Sequence, residues 1–146
     1  KNKNIFFKND VYENKNRLIL NFGHTFAHAI EMATEFLFNK ECYRHGEAVG
    51  LGILCELNYS NKKKNKIFKD TIHLLEEYKL PIKLEMKIFN NKKQILLNTI
   101  YKNIFLDKKK ISRYPRYISL KKIYQPKIKE LDNNDLILQT INNLLK

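Results

Sequence analysis

The sequence predicts an all-α domain, a multi-helix bundle with one small extended excursion near residues 113–128. Three observations carry that prediction. Apolar residues recur at intervals of three and four through most of the chain, the period of helices with one buried face. The excursion holds Pro115 and Pro126 among tyrosines and isoleucines, which suits a hairpin or another extended segment better than a helix. No alternation of strands with crossover helices is visible, and Gly46, Gly50 and Gly52 make no dinucleotide fingerprint because no strand precedes them.

Each element has its own signal. Residues 1–12 read as the continuation of a helix begun upstream, with Ile5 and Phe6 turned inward, and Asn9, Asp10 and Asn14 mark a turn after it. Leu18, Ile19 and Leu20 take the backbone into the interior, and Asn21, Phe22 and Gly23 break that run. A helix is expected from about Gly23 to Leu37, with Gly23 supplying a positive φ or a close backbone approach. A polar loop, Asn39 to Arg44, leads to a second helix from about Gly46 to Ser60, whose glycines permit close helix packing. The third helix, about 65–79, carries Phe68, Ile72, Leu75 and Tyr78 as a core stripe, with His73 off it and solvated. Pro81 ends that element. Leu96, Ile100, Tyr101 and Ile104 predict a fourth helix over 92–106. Asp132 is the expected N-cap of a last helix bearing Leu136, Ile137, Ile141, Leu144 and Leu145.

Composition narrows the function classes. The 146 residues suit a single domain, and 43% hydrophobic content excludes an intrinsically disordered chain. No apolar run reaches a membrane span and no signal peptide opens the sequence. The first residue is Lys, which points to a start inside a longer polypeptide. Cys42 and Cys55 lack CxxC spacing, so reduced thiols and a cytoplasmic location are expected. A net charge of +13 raises the possibility of a nucleic-acid partner. Only Arg17, Arg44, Arg113 and Arg116 are arginines, however, and Lys lacks the planar fork that reads bases and phosphates. Runs such as Asn61 to Lys66 therefore read as solvated faces, and neither nucleic acid nor membrane is the expected partner.

The polar residues of the first half carry the chemistry. His24 and His28 stand one helical turn apart on one face, flanked by Phe26, Ala29 and Ile30. Two imidazoles so placed could offer nitrogen to a metal or an anion. The same spacing also describes one core histidine and one exposed one. His45, Gly46 and Glu47 follow at the second helix.

Taken together, residues 21–31 (NFGHTFAHAIE) and 45–52 (HGEAVGLG) resemble the signature of the 3-dehydroquinate synthase family, LN(F/L)GHTFGHAIE followed by HGEAVAxGM. Lys3, Asp10, Glu13 and Arg17 stand where an upstream pattern of that family would place them. Leu80 with Pro81, and Asp107 with Lys108 and Lys109, match its later landmarks. The resemblance covers residues 1–110 well and the last 36 loosely. It departs from the family at Ala27, where Gly is usual, and after Lys109, where the usual glycine-containing turn is missing.

The resemblance implies an enzyme of the shikimate pathway, a phosphorus–oxygen lyase on the route to aromatic amino acids. Such enzymes convert a seven-carbon keto sugar acid phosphate into 3-dehydroquinate and phosphate, using NAD transiently and a divalent metal, zinc or cobalt, as Lewis acid. It implies that this chain is the C-terminal metal- and substrate-binding lobe, with the NAD-binding lobe absent from it, and that the whole enzyme is a homodimer. His24 and His45 would be metal ligands, with a third, a glutamate, in a segment preceding Lys3. Lys3, Arg17 and one of Lys108 or Lys109 would pair with substrate carboxylate and phosphate. Asn21 would hydrogen-bond a substrate hydroxyl, and His28 and Glu13 would assist proton transfer. Glu31 and Glu47 either orient the histidines or are plain helix-surface carboxylates.

Two other readings compete with this one. The chain could serve another sugar-phosphate cyclase or a relative of the iron-dependent alcohol dehydrogenases, although Lys3, Arg17 and the paired lysines favour a phosphorylated acid. It could also be a basic helical binding module without catalysis, which steep salt-dependent binding to duplex DNA would reveal.

Overall fold

The computed structural model describes residues 16–60, 65–85, 92–106, 114–120, 122 and 124–145. A short 3-10 helix, Asn16–Asn21, leads into α1 (His24–Phe38). Then follow α2 (His45–Tyr59), α3 (Lys66–Glu77), α4 (Lys93–Leu106), the strands β1 (Arg116–Leu120) and β2 (Pro126–Glu130), and α5 (Asn134–Leu144). The mainly helical bundle with one extended excursion is what the apolar periodicity predicts.

The central element is α2. Ala48, Gly50, Leu51, Gly52, Leu54, Cys55, Glu56, Leu57 and Tyr59 are all buried, so it is covered on nearly every side. It packs against α1, α3, α5 and β1, while α1 also packs against α4. The start of α2 is held by a capping box in which the Arg44 N–H donates to Glu47 Oε2 at 2.8 Å. Glu47 is thus a helix-capping side chain.

Glycine sets how closely α1 and α2 approach. Gly23 adopts φ 85 at the start of α1. A methyl at Gly52 would overlap the Gly23 carbonyl oxygen and crowd the Ala27 nitrogen. Gly46, by contrast, faces open space and takes no part in the packing. Ala27 is fully buried, so its methyl is accommodated in the core.

Two local expectations are corrected. Tyr78 lies beyond the end of α3 and is 69% exposed; Leu75 is buried from that stripe, and Phe68 and Ile72 pack partly against the core. The N-cap of α5 is Asn133, whose side chain accepts from the Leu136 N–H at 2.9 Å. Asp132 instead accepts from the Tyr59 hydroxyl at 3.1 Å. His73 is exposed, as expected.

The excursion is an antiparallel hairpin in register Ile118↔Ile128, slightly later than 113–128. Pro126 opens β2, a position where a missing N–H is tolerated. The Leu131 N–H donates to the Pro115 carbonyl at 2.8 Å and closes the hairpin's base. Thr25 Oγ1 donates to the Arg116 carbonyl at 2.6 Å, so β1 lies against the start of α1.

Candidate metal and substrate site

Three imidazoles converge because the first turns of α1 lie against Val49, Gly52 and Ile53 of α2, while Glu31, further along α1, meets His45. His24 is the first residue of α1, His28 stands one turn further, and His45 is the first residue of α2. Their ring centroids are 5.6 Å apart for His24 and His28, 5.3 Å for His24 and His45, and 5.9 Å for His28 and His45.

The fourth member is Glu31, three residues beyond His28. Its Oε1 lies 3.0 Å from His45 Nδ1. A carboxylate only accepts, so His45 Nδ1 carries the proton and Nε2 is left with its lone pair. His24 is arranged likewise: Nδ1 lies 3.3 Å from the Phe22 carbonyl oxygen, which also only accepts. Among the described residues neither ring nitrogen of His28 has such a partner. His28 and His45 are exposed and His24 is half-buried.

These side chains fit a divalent metal in two ways. One ligand atom each from His28, Glu31 and His45 can be chosen so that all lie within 4.8 Å of one another. Alternatively, His24 and His45 both present Nε2 with Nδ1 already engaged by oxygen, the usual condition of a metal-bound imidazole. Nitrogen donors with a carboxylate suit zinc and its neighbours in the first transition row.

The remaining expected site residues divide by position. Asn21 ends the 3-10 helix, half-buried, three residues before His24, and Arg17 lies on the same helix. Lys3, Glu13, Lys108 and Lys109 fall outside the described residues, as do Asp10 and Asp107. Cys42 and Cys55 are free thiols. Burial, reinforced by the Glu56 carboxyl, pushes the Cys55 thiol well above its ordinary value, which makes it a poor nucleophile. Among the described residues no helix is long and apolar enough to cross a membrane.

Sequence reasoning missed Glu56. It is 0% exposed, and burial pushes its carboxyl up to about 8. Oε2 accepts from the Ile118 N–H at 2.8 Å. The Gly23 amide also favours the charged form, and among the described residues Oε1 has no hydrogen-bond partner. The available signal was a lone acid at the fourth position after Gly52 in an otherwise apolar run.

The chain is 38% identical over 130 residues to a 3-dehydroquinate synthase of Clostridium botulinum, an alignment covering 87% of this chain and 34% of the relative. It is 34% identical over 133 residues to one of Leptospira interrogans, covering 88% and 33%. A third, from Chlorobium chlorochromatii, is 33% identical over 115 residues, covering 75% and 29%. The chain therefore spans about a third of the length of the relatives it matches. The family model described as 3-dehydroquinate synthase C-terminal matches residues 1–110, across both histidine blocks, and the chain belongs to that family.

Proposed function

We propose that this chain is the metal- and substrate-binding lobe of a cytoplasmic 3-dehydroquinate synthase, acting with an NAD-binding lobe in a two-lobed, dimeric enzyme. The substrate is a seven-carbon keto sugar acid phosphate and the products are 3-dehydroquinate and phosphate. The observation that carries this reading is the convergence of His24, His28 and His45, with Glu31 on His45 Nδ1. The family match over residues 1–110 supports it.

His24 and His45 would hold the metal through Nε2, each kept in one tautomer by the oxygen on Nδ1. A glutamate from a segment preceding Lys3 would be the third protein ligand. When bound, the metal supplies Lewis-acid polarisation of a substrate oxygen and NAD supplies hydride acceptance and return. His28, with neither nitrogen engaged among the described residues, would take or give a proton at the substrate, and Glu13 would assist it. Lys3, Arg17 and one of Lys108 or Lys109 neutralise the carboxylate and phosphate, and Asn21 positions a hydroxyl.

Zinc analysis of three purified variants of the two-lobed protein tests the assignment. His24→Ala and His45→Ala should lose zinc and activity together. His28→Ala should retain zinc and lose turnover by roughly a hundred-fold or more, as for a positioned proton-transfer group. Loss of zinc from His28→Ala with retention in His24→Ala would shift the ligand set to His28, Glu31 and His45.

A further inference from the structure

We propose that Glu56 is a positioning residue for His24: its buried carboxyl pins the Phe22–Gly23 peptide and strand β1 together, and so fixes the ring that offers Nε2 to the metal. The proposal rests on the His24 and His45 assignment above for its consequence, and on independent geometry for its mechanism.

The geometry begins with one peptide unit. The Phe22 carbonyl holds His24 Nδ1 at 3.3 Å. The amide on the other side of that same peptide belongs to Gly23, whose backbone packs against Val49, Gly52 and Ile53 of the helix that carries Glu56, and that amide favours the charged form of the Glu56 carboxyl. The planar peptide couples the two ends, because tilting the amide tilts the carbonyl with it. Gly23 at φ 85 has the freedom that such a junction requires, and the close contact of its carbonyl with Gly52 sets the peptide one turn before Glu56 on α2.

The second grip is on the hairpin. Glu56 Oε2 accepts from the Ile118 N–H at 2.8 Å, and Thr25 Oγ1 donates to the Arg116 carbonyl at 2.6 Å. Two residues of β1 are thereby fixed, one to the middle of α2 and one to the residue after His24. Three segments far apart in sequence meet at a single carboxyl that solvent does not reach.

A merely structural account leaves one atom unexplained. Burying a carboxyl with Oε1 unpartnered costs free energy that an apolar side chain would avoid. Among the described residues no cation pairs with it. Burial favours its neutral form, and the backbone amides of Ile118 and Gly23 oppose that only in part. Holding a metal-binding imidazole in one orientation is a reason to retain such a group, since partners behind a ligand govern metal affinity nearly as the ligands do.

The test uses the 146-residue chain, with Glu56→Gln and Glu56→Leu. Nitrogen-15 spectra of the imidazoles report the tautomer of each histidine, with His73 as an internal control, and zinc alone is the metal probe in a chelator competition. Glu56→Gln keeps an oxygen for the Ile118 amide and should keep the Nδ1-protonated tautomer of His24 and zinc affinity. Glu56→Leu should mix the His24 tautomers, leave His73 unmoved, and weaken zinc binding by about 10-fold or more. A folded Glu56→Leu with unchanged His24 tautomer overturns the proposal. Absence of zinc binding in the unsubstituted chain would reflect its missing third ligand, and the tautomer measurement would then decide the role of Glu56 alone. Should Glu56→Leu fail to fold, Thr25→Val loosens the same junction, and an unmoved His24 tautomer there overturns the proposal equally.

Discussion

An imidazole makes a dependable metal ligand only when its second nitrogen is engaged, and Glu31 does this for His45 across the gap between α1 and α2. Glu31→Ala should therefore lower the zinc affinity of the two-lobed protein by roughly 10- to 100-fold with little change in fold. Glu31→Gln, which keeps an acceptor oxygen for Nδ1–H, should lose less. Equal affinity in all three proteins, measured by chelator competition, would make Glu31 a plain surface carboxylate. Glu56 gives a different residue-scale prediction, in stability against pH. Its native value of about 8 lies above the ordinary 4.5, so between those values the folded chain holds a proton that the unfolded chain has released. Stability from this group is thus undiminished below pH 4.5 and is lost as pH rises towards 8, by at most about 1.4 kcal/mol per pH unit. Glu56→Gln should flatten that slope, and urea midpoints between pH 5 and 8.5 would show it; parallel slopes in the two proteins would refute the buried-acid account.

Among elements, the approach of α1 to α2 depends on Gly52, while the glycine six residues earlier is idle. Gly52→Ala places a methyl on the Gly23 carbonyl, where backbone rather than a flexible side chain must give way. A cost of roughly 1–3 kcal/mol, the range for overpacking, is expected, together with displacement of His24 and weaker zinc binding. Gly46→Ala meets open space and should leave stability unchanged or slightly improved. Thermal melts of the two variants would separate these outcomes, and equal melting temperatures would show that the helices can part without loss. The helices were legible in the sequence because apolar spacing is a property of each segment alone. The four-residue interval put His24 and His28 on one face, but that His45 joins them was implied only by the family resemblance. What was not legible depended on distance in space. Asp132 and Asn133 are both good caps one residue apart, and only the Tyr59 hydroxyl decides which is free to cap. Tyr78 fits the α3 stripe by spacing, yet the helix ends at Glu77 and the ring leaves the core. Glu56 reads as a solvated helix position until β1, some sixty residues later, is known to deliver the Ile118 amide to it.

At the scale of the molecule, the histidine site lies on an exposed face of the bundle. His45 keeps 57% of its side chain exposed and His28 is exposed as well. Electrostatic catalysis gains its strength from a water-excluded setting, and charged substrate groups must be held within a few tenths of an ångström to react. Nothing on this face among the described residues closes over the three rings, and the chain spans about a third of the length of its relatives. The isolated chain should therefore fold without catalysing. Circular dichroism should show a mainly helical spectrum with a cooperative melt, because Phe26, Ile30, Leu51, Ile100 and Ile137 are fully buried in one core among the described residues. Phosphate release from the keto sugar acid phosphate should stay at background even with zinc and NAD added. Joining the chain to a nucleotide-binding lobe from one of its relatives should restore release, and His28→Ala in that fusion should abolish it again. Turnover by the chain alone, surviving purification and lost in His28→Ala, would show that the site needs no second lobe to exclude water or hold its cofactor.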